Sequence, residues 1–352
     1  MVLKILAMYL FKFMKNEEVK FGLAPNLYPA EVIFKVAEIC EQYNLDGIWL
    51  SDHVVAVGVK RFHALDAWSM LAALSVKTKN IKLGTAVSDT HRRHPETLAQ
   101  IVSTVDILSG GRAILGIGPG ESMNLDPFGI NWDKPISRMK EAITLIKRLW
   151  TQESVSYEGK FFRFSNAILD LKPVQKPHPP IWIAANSIAS LKVVAELGEG
   201  WIPLPNGPEN YSKNLNFIKE HAKSLGRDPN RIVPSIFMYI CVAENDQDVK
   251  RMYGLSLKFY SLILKRPEFN FFGKVPFSRE IAMKAFQEAL KLDIPFEKLK
   301  EELPFPIGTP EECIEKLQEY IRAGVKYFIL VPLTRPEDCI YASELCAKKI
   351  IP

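Results

Sequence analysis

The sequence has few of the residues that usually build metal centres or disulfide frameworks. Only 5 of its 352 residues are cysteine and 6 are histidine. The cysteines are odd in number and scattered, with no C-x-x-C pair, a pattern that argues against a zinc site or a redox motif. We therefore expect no bound metal, and the unpaired thiols favour a reducing, cytoplasmic location.

Charge of one sign and long apolar runs are also scarce. The net charge is +5, and the basic residues form no cluster interleaved with aromatic residues. Such dilute charge argues against nucleic acid as a partner and suits a small anionic ligand. No segment reaches the roughly 20 apolar residues of a membrane-spanning helix. The apolar start is interrupted by Lys12 and no cleavage site follows, so we interpret residues 1–19 as an N-terminal extension rather than a signal peptide.

What the chain does contain is an ordinary globular composition arranged in a repeat. Hydrophobic residues make up 47% of the sequence, enough for a large core. From Lys20 onward, short apolar runs of strand type alternate with helical patterns, which predicts parallel strands joined by crossover helices. The eight candidate strands are 20–24, 47–51, 81–87, 113–118, 181–185, 201–204, 232–243 and 327–331.

Eight such strands can close into a barrel or lie open as a doubly wound sheet, and periodicity alone does not separate the two. The strand count and the chain length favour the barrel, so we predict an α/β fold of the (β/α)8 TIM-barrel type with insertions. Residues 20–352 are assigned to a single barrel domain. Within it, residues 154–180 have the pattern of a β-hairpin with a proline-rich exit, and residues 246–306 contain extra helices.

The second insertion is rich in aromatic residues. Packing in a core or an interface is the more common use of such a set, and covering the pocket is the alternative. The residues are Phe259, Tyr260, Phe269, Phe271, Phe272 and Phe277.

In a barrel of this kind, the ligand-binding groups follow the strands at their carboxyl ends. Asp52 and His53 follow the second strand. They are candidates for a proton-handling pair, whereas a metal pair would need further ligands, and adjacent strand residues point apart. An aspartate that caps a loop, beside a partly buried histidine, is an equally good interpretation.

A glycine-rich segment follows the fourth strand. Its sequence, Gly116-Ile-Gly-Pro-Gly-Glu121, resembles a dinucleotide fingerprint but has Glu121 where a glycine is required, so a Rossmann site is not expected. Gly118 and Gly120 instead allow a flat ligand to approach the backbone. Glu121 at the rim is a candidate acid or base, and a tight turn with a surface glutamate is the alternative.

Another candidate site follows the fifth strand. Ala184, Ala185, Asn186 and Ser187 precede a predicted helix over residues 188–197. Free backbone N–H groups at the start of a helix form an anion site. The signal is weak by itself, because most helices begin with a polar cap.

Several short motifs together closely resemble the bacterial-luciferase-like superfamily of flavin and deazaflavin oxidoreductases. They are Arg93-His-Pro95, Leu108-Ser-Gly-Gly-Arg112, the strand 113–120, Glu199-Gly-Trp201 and Gly308-Thr-Pro310. Within the superfamily, Ser51-Asp-His53 and the block 118–124 look most like the branch that uses coenzyme F420. That branch includes methylenetetrahydromethanopterin reductase. The resemblance extends over residues 20–331.

The resemblance implies a fold, an assembly and a chemistry. In this branch the fold is a barrel, usually dimeric, and coenzyme F420, an 8-hydroxy-5-deazaflavin, shuttles a hydride. By position, Asp52 and Asn124 would contact the deazaflavin ring and residues 184–187 its phosphate-bearing tail. Glu121 would serve the proton chemistry near the substrate, with Asp52 and His53 as further catalytic candidates.

The resemblance also implies a cis peptide bond without proline, between Ala86 and Val87, behind the cofactor ring. Two departures from the family pattern leave the substrate open. Val57 stands where the sugar-phosphate enzymes have a tryptophan, and Glu121 stands where the reductase has an aspartate.

We therefore expect an F420-dependent oxidoreductase, a homodimer, that transfers a hydride between the deazaflavin and a small organic substrate. The alternative on the same fold is an FMN-dependent monooxygenase that uses O2 and a partner flavin reductase. A non-catalytic barrel that binds an anionic ligand is the alternative of another class. It predicts loss of acid and base groups at the rim, whereas Asp52, His53 and Glu121 are all present.

Overall fold

The fold is built on a closed barrel of parallel strands, in a computed structural model that describes residues 19–54, 63–266 and 279–351. Its strands are β1 (Lys20–Leu23), β2 (Gly47–Leu50), β3 (Lys82–Thr85), β4 (Ser88–Asp89), β5 (Ala113–Gly118), β6 (Val155–Glu158), β7 (Arg163–Ala167), β8 (Ile181–Ala184), β9 (Gly200–Ile202), β10 (Val233–Val242), β11 (Ile307–Gly308) and β12 (Tyr327–Pro332). The barrel order is β1, β2, β3, β5, β8, β9, β10, β12, and β12 pairs back with β1. Each of the eight predicted strands overlaps one of these barrel strands, so the predicted TIM barrel is confirmed.

Helices surround the barrel and turn their apolar faces toward it. In the described ranges they are α1 (Ala30–Gln42), α2 (Ala67–Lys77), α3 (Pro95–Ser109), α4 (Pro135–Thr151), α5 (Ile188–Leu197), α6 (Pro208–Ser224), α7 (Asp246–Lys265), α8 (Arg279–Lys291), α9 (Phe296–Glu302), α10 (Pro310–Arg322) and α11 (Pro336–Lys349). In α1 the buried residues recur every three or four positions, as expected for an amphipathic helix: Val32, Ile33, Val36, Ala37, Ile39 and Cys40.

Both predicted insertions contain the expected elements. In residues 154–180, β6 and β7 pair as an antiparallel hairpin. In residues 246–306, α7, α8 and α9 lie between β10 and β11. Helices α7 and α8 share an apolar cluster of their own, formed by Phe259, Leu262, Ile263, Ala285, Phe286 and Ala289. Several predictions fall outside the described residues. They concern residues 1–18 of the predicted extension 1–19, Val57, and the insertion aromatics Phe269, Phe271, Phe272 and Phe277.

Three large aromatic rings fill the barrel interior. Trp49 on β2, Trp182 on β8 and Tyr327 on β12 are buried, with ring centroids 4.9 to 5.8 Å apart. Trp49 Nε1 donates a hydrogen bond of 3.1 Å to Tyr327 Oη. The interior is thus a packed floor and not a channel.

Glycines on the neighbouring strands provide the space for these rings. Gly84 on β3 is the register partner of Trp49, and a Cβ at Gly84 would lie 2.5 Å from the Trp49 ring. Gly200 on β9 is the register partner of Trp182, and a Cβ at Gly200 would lie 2.4 Å from the Trp182 ring. Because protein interiors are close-packed, the rings and the glycines depend on each other.

We expect Gly84→Ala to lower the free energy of unfolding by about 1–3 kcal/mol, because the added methyl group overpacks the floor against Trp49. Urea unfolding measures the change. Gly254→Ala is the matched control, since a Cβ there meets no atom within 4 Å and alanine is the better helix former. Equal stability of the Gly84 variant and the wild-type protein would contradict the close packing.

Candidate active site

The carboxyl end of β2 carries a buried ionic group centred on Asp52, which is 4% exposed. Its carboxylate accepts hydrogen bonds from Arg93 Nε at 2.8 Å and Arg93 Nη2 at 3.0 Å, one on each oxygen. Ser88 Oγ donates a third at 2.7 Å and itself accepts from Trp68 Nε1 at 2.8 Å. The planar guanidinium therefore holds Asp52 in a bidentate pair.

These contacts fix the charge of Asp52. Burial alone would raise the pKa of the carboxyl, but the hydrogen bonds from Arg93 and the charges of Arg92 and Arg93 outweigh burial and hold the pKa below its usual value. Arg92 is itself held by Asp89, with 2.6 Å between Nε and Oδ2. Asp52 is therefore an ionised, fully engaged carboxylate at neutral pH, which suits an anchor better than a proton carrier.

The adjacent His53 belongs to a different group of contacts. Its Nδ1 lies 2.9 Å from Asn124 Nδ2 and 3.8 Å from Glu121 Oε2. Asn124 Nδ2 also lies 3.4 Å from Glu121 Oε2, and Asn124 Oδ1 accepts a 2.9 Å hydrogen bond from Val54 N. Since the amide donates to Nδ1, the neutral imidazole carries its proton on Nε2.

Asn124 thereby joins two titratable side chains from the ends of β2 and β5. The side chains of His53 and Glu121 are 25% and 42% exposed, so both remain open to a ligand. Asp52 and His53, although adjacent, contact different partners.

An apolar surface lies next to this polar group. Between β3 and β4 the peptide bond Ala86–Val87 is cis, so the implied cis bond is confirmed. A Cβ on Gly118 would lie 2.5 Å from Val87 Cγ2 and 3.4 Å from the Cβ of Ala184. Gly118 thus leaves the room in which Val87 and Ala184 approach each other. Gly120, at φ +79°, then turns the chain toward Glu121, a conformation that favours glycine.

The start of α5 lies at the same end of the barrel. Ser187 Oγ accepts a 3.3 Å hydrogen bond from Ser190 N, and Ser190 Oγ accepts one of 3.1 Å from Ser187 N. This capping box engages Ser190 N–H, so the exposed N–H groups of Ile188 and Ala189 are the donors that an anion would meet. Asn186 is exposed, whereas Ala185 is buried.

The structure thus brings the predicted residues to neighbouring positions. Most of the side chains that they contact were not predicted from the sequence. Sequence reasoning used Arg93 only as part of a family motif and gave Arg92 and Ser88 no role. The available signal was the pair of adjacent arginines that follow the third predicted strand, because that strand neighbours the one that Asp52 follows. Burying Asp52 requires such a counter-charge.

Two searches of the described residues are negative. In the described ranges, no group of three or more His, Cys, Asp or Glu side chains is arranged to hold a metal ion. The same ranges contain no helix with both the length and the apolar character needed to cross a bilayer.

Asp52→Asn should lower the free energy of unfolding by about 1.5–3 kcal/mol at neutral pH, because it removes the charge-assisted hydrogen bonds from Arg93 to a buried carboxylate and leaves Asp66 as the remaining partner of Arg93. Folding lowers the pKa of Asp52, so its stabilisation is present above the usual carboxyl pKa near 4 and is lost as the pH falls through the folded-state pKa. Urea unfolding across the acid range should therefore show a weaker pH dependence in the variant.

The control for this prediction is a double-mutant cycle with Arg93→Gln. Direct coupling predicts that the double variant loses less stability than the sum of the two single losses. Additive losses would mean that the pair contributes no interaction of its own.

Comparisons with known proteins identify the family. A family model described as luciferase-like monooxygenase matches residues 20–327. A phthiodiolone/phenolphthiodiolone dimycocerosates ketoreductase from Mycobacterium tuberculosis is 30% identical over 319 residues, which cover 81% of this chain and 83% of that protein. A 5,10-methylenetetrahydromethanopterin reductase from Archaeoglobus fulgidus is 28% identical over 355 residues, 95% of this chain and 99% of the relative.

The fold has a counterpart among solved structures. An F420-dependent secondary alcohol dehydrogenase in complex with an F420-acetone adduct matches with a TM-score of 0.80 at 20% identity, covering 95% of this chain and 99% of the other. The match to the family model begins at the first barrel strand, reaches the last, and includes the residues after β2 and β5. The chain therefore belongs to the luciferase-like monooxygenase family.

Proposed function

We propose that this protein is an F420-dependent oxidoreductase that transfers a hydride between the deazaflavin and a small organic substrate. The observation that carries the proposal is the contact group of His53, Asn124 and Glu121 at the open ends of β2 and β5. Two partly exposed titratable groups linked by an amide are suited to moving a proton beside a reacting carbon. The F420 dependence of the alcohol dehydrogenase with the same fold supports the cofactor.

The chain's own residues fit a flat ring with an anionic tail. Val87, Gly118 and Ala184 would contact the ring, because the missing side chain of Gly118 lets Val87 and Ala184 approach each other and form one apolar surface. The N–H groups at the start of α5 would bind the phosphate-bearing tail. When bound, F420 supplies the hydride donor or acceptor.

The polar residues then have separate tasks. Reduction of a carbonyl or imine carbon requires a proton as well as a hydride, and we assign delivery of that proton to the exposed carboxyl of Glu121. In the reverse direction Glu121 accepts it. Asn124 holds His53 through a contact with Nδ1, and Asp52, held by Arg93, fixes the backbone just before His53.

We extend the proposal to substrate and assembly. The archaeal relative, a methylenetetrahydromethanopterin reductase matched over 95% of this chain, favours a pterin-bound one-carbon unit as the substrate. A homodimer and a single barrel domain over residues 20–352 follow from the family resemblance. Five free, buried cysteines suit a cytoplasmic location.

An FMN-dependent monooxygenase is the second candidate, because the matching family model is described as a monooxygenase. That function would require O2 and a partner flavin reductase. The non-catalytic alternative has less support, because a barrel that only bound an anion would have no use for the linked His53 and Glu121.

Purified protein should bind F420 more tightly than FMN, by about tenfold or more in dissociation constant, because the residues after β2 and β5 resemble those of the F420 branch. Calorimetric titration of one preparation with each cofactor measures the ratio. Tight FMN binding without F420 binding would contradict the proposal and favour the FMN-dependent monooxygenase. Binding of inorganic phosphate alone would favour the non-catalytic barrel.

Glu121→Gln should lower turnover by about 10²-fold or more, because an amide cannot deliver or accept the proton. F420 affinity should change little, since the variant keeps the shape of the side chain. Stopped-flow reduction or oxidation of bound F420 measures the rate. Glu220→Gln, on the exposed outer part of α6, is the matched control. Unchanged turnover in the Glu121 variant would show that Glu121 does not transfer the proton and is only a surface residue of a tight turn.

A further inference from the structure

An aromatic wall lines the barrel mouth on the side of β10. Phe237 and Tyr239 lie two residues apart, and their side chains therefore share the face on which Phe237 contacts the interior cluster. Their rings are 5.7 Å apart, and Tyr239 is the register partner of Val331 on β12. Both are only partly buried, unlike the rings of the floor. They are therefore the part of the interior that a ligand at the mouth can reach.

The insertion adds a second tyrosine to this wall. Tyr260 on α7 has its ring 4.7 Å from that of Tyr239. Phe305, just before β11, lies 5.6 Å from Tyr239 and 5.9 Å from Tyr260. The neighbouring Phe259 instead packs against Phe286 within the insertion. Of these adjacent residues of α7, Phe259 therefore packs in the core of the insertion and Tyr260 contacts the barrel mouth.

The hydroxyl groups of Tyr239 and Tyr260 remain available as donors. They interact with each other, and no further hydrogen bond joins either one to the part of the chain that the structure describes. Burial raises the pKa of Tyr239 to about 12 and that of Tyr260 well above its usual range, and the negative charge of Glu121 adds to both shifts. Both phenols are therefore protonated at neutral pH, within range of the charge of Glu121.

We propose that Tyr239 and Tyr260 bind a hydrogen-bond-accepting oxygen or nitrogen atom of the substrate at the end of the barrel that carries Glu121, so that helix α7 forms part of the active site. The inference rests on the proposed function, because it assumes a substrate that reacts next to Glu121. A hydrogen bond between two hydroxyls uses one of their two protons, so the pair retains one O–H for the substrate. The tyrosines are positioning residues, and proton transfer stays with Glu121.

The chemistry of the wall defines the class of substrate. Aromatic rings contact flat, unsaturated groups favourably, and a neutral phenol donates to a carbonyl oxygen or a ring nitrogen. A free carboxylate would be repelled by Glu121 at the same place. We therefore expect a flat, uncharged group that carries a carbonyl or amide, such as the ring system of a pterin.

The test uses Tyr239→Phe and Tyr260→Phe, which keep each ring and remove its hydroxyl. Tyr341→Phe, an exposed tyrosine on α11, is the matched control. Each protein is assayed with reduced F420 and 5,10-methylenetetrahydromethanopterin as the probe, and F420 affinity is measured by calorimetry. We expect KM for the probe to rise about fivefold in the variant that removes the hydroxyl donating to the substrate, the loss of one neutral hydrogen bond. The turnover number and the F420 dissociation constant should stay within about twofold of wild type.

An unchanged KM in both variants would overturn the inference. Weakened F420 binding would also overturn it, because the tyrosines would then belong to the cofactor site. If the wild-type protein does not turn over the probe, the proposed function fails, and calorimetric binding of tetrahydromethanopterin to the cofactor-free protein decides the inference separately. Weaker binding by either variant than by the wild-type protein would then support the tyrosine pair. The inference would be overturned if both variants bound tetrahydromethanopterin as tightly as the wild-type protein does. It would also be overturned if the wild-type protein did not bind tetrahydromethanopterin.

Discussion

The packing of Trp49, Trp182 and Tyr327 inside the barrel is the constraint on which the site depends. These rings fill the interior from three different strands, and register-matched glycines on neighbouring strands allow no looser arrangement. The strands are therefore held at fixed heights and spacings, which fixes the residues that directly follow them. The floor also closes the interior from below. A ligand is thus confined to the carboxyl ends of the strands, where the polar side chains lie.

Above the floor, one guanidinium connects the parts of the mouth. Arg93 pairs with Asp52 after β2 and also donates to Asp66, the residue that caps α2. A single planar cation thus joins a strand end, a helix start and its own loop, which a lysine could not do with the same geometry. The rigidity of this arrangement extends to His53, whose backbone follows Asp52. The proposed proton transfer thus belongs to the partly exposed side chains, and the buried ion pair holds their backbone in position.

Local patterns predicted the elements well but gave little information about partners. The eight strands and the β6–β7 hairpin follow from short-range alternation, which the structure preserves. The predicted strand 81–87 is shorter in the structure, because β3 ends at Thr85 and the chain pairs again only in the two-residue strand β4. The Thr85 hydroxyl donates to the Gly116 carbonyl at 2.7 Å. The cis bond after it was accessible only through family resemblance, since no local rule places one there. The Asp52–Arg93 pair and the contact of Tyr239 with Tyr260 join different elements, and periodicity contains no information on such contacts.

Closure of the barrel also determines the order in which the protein can be completed during synthesis. Residues Lys20 to Leu23 pair with Tyr327 to Leu330, so the first strand finds its second neighbour only when almost the whole chain has left the ribosome. Trp49 likewise waits for Tyr327 to complete its surroundings. Until then, β1 has an unpaired edge, and Trp49 and Trp182 lack their contact with Tyr327. Such late, long-range pairing slows folding, and the exposed edge and apolar rings favour aggregation. Biosynthesis of this barrel is thus most vulnerable just before its last strand emerges.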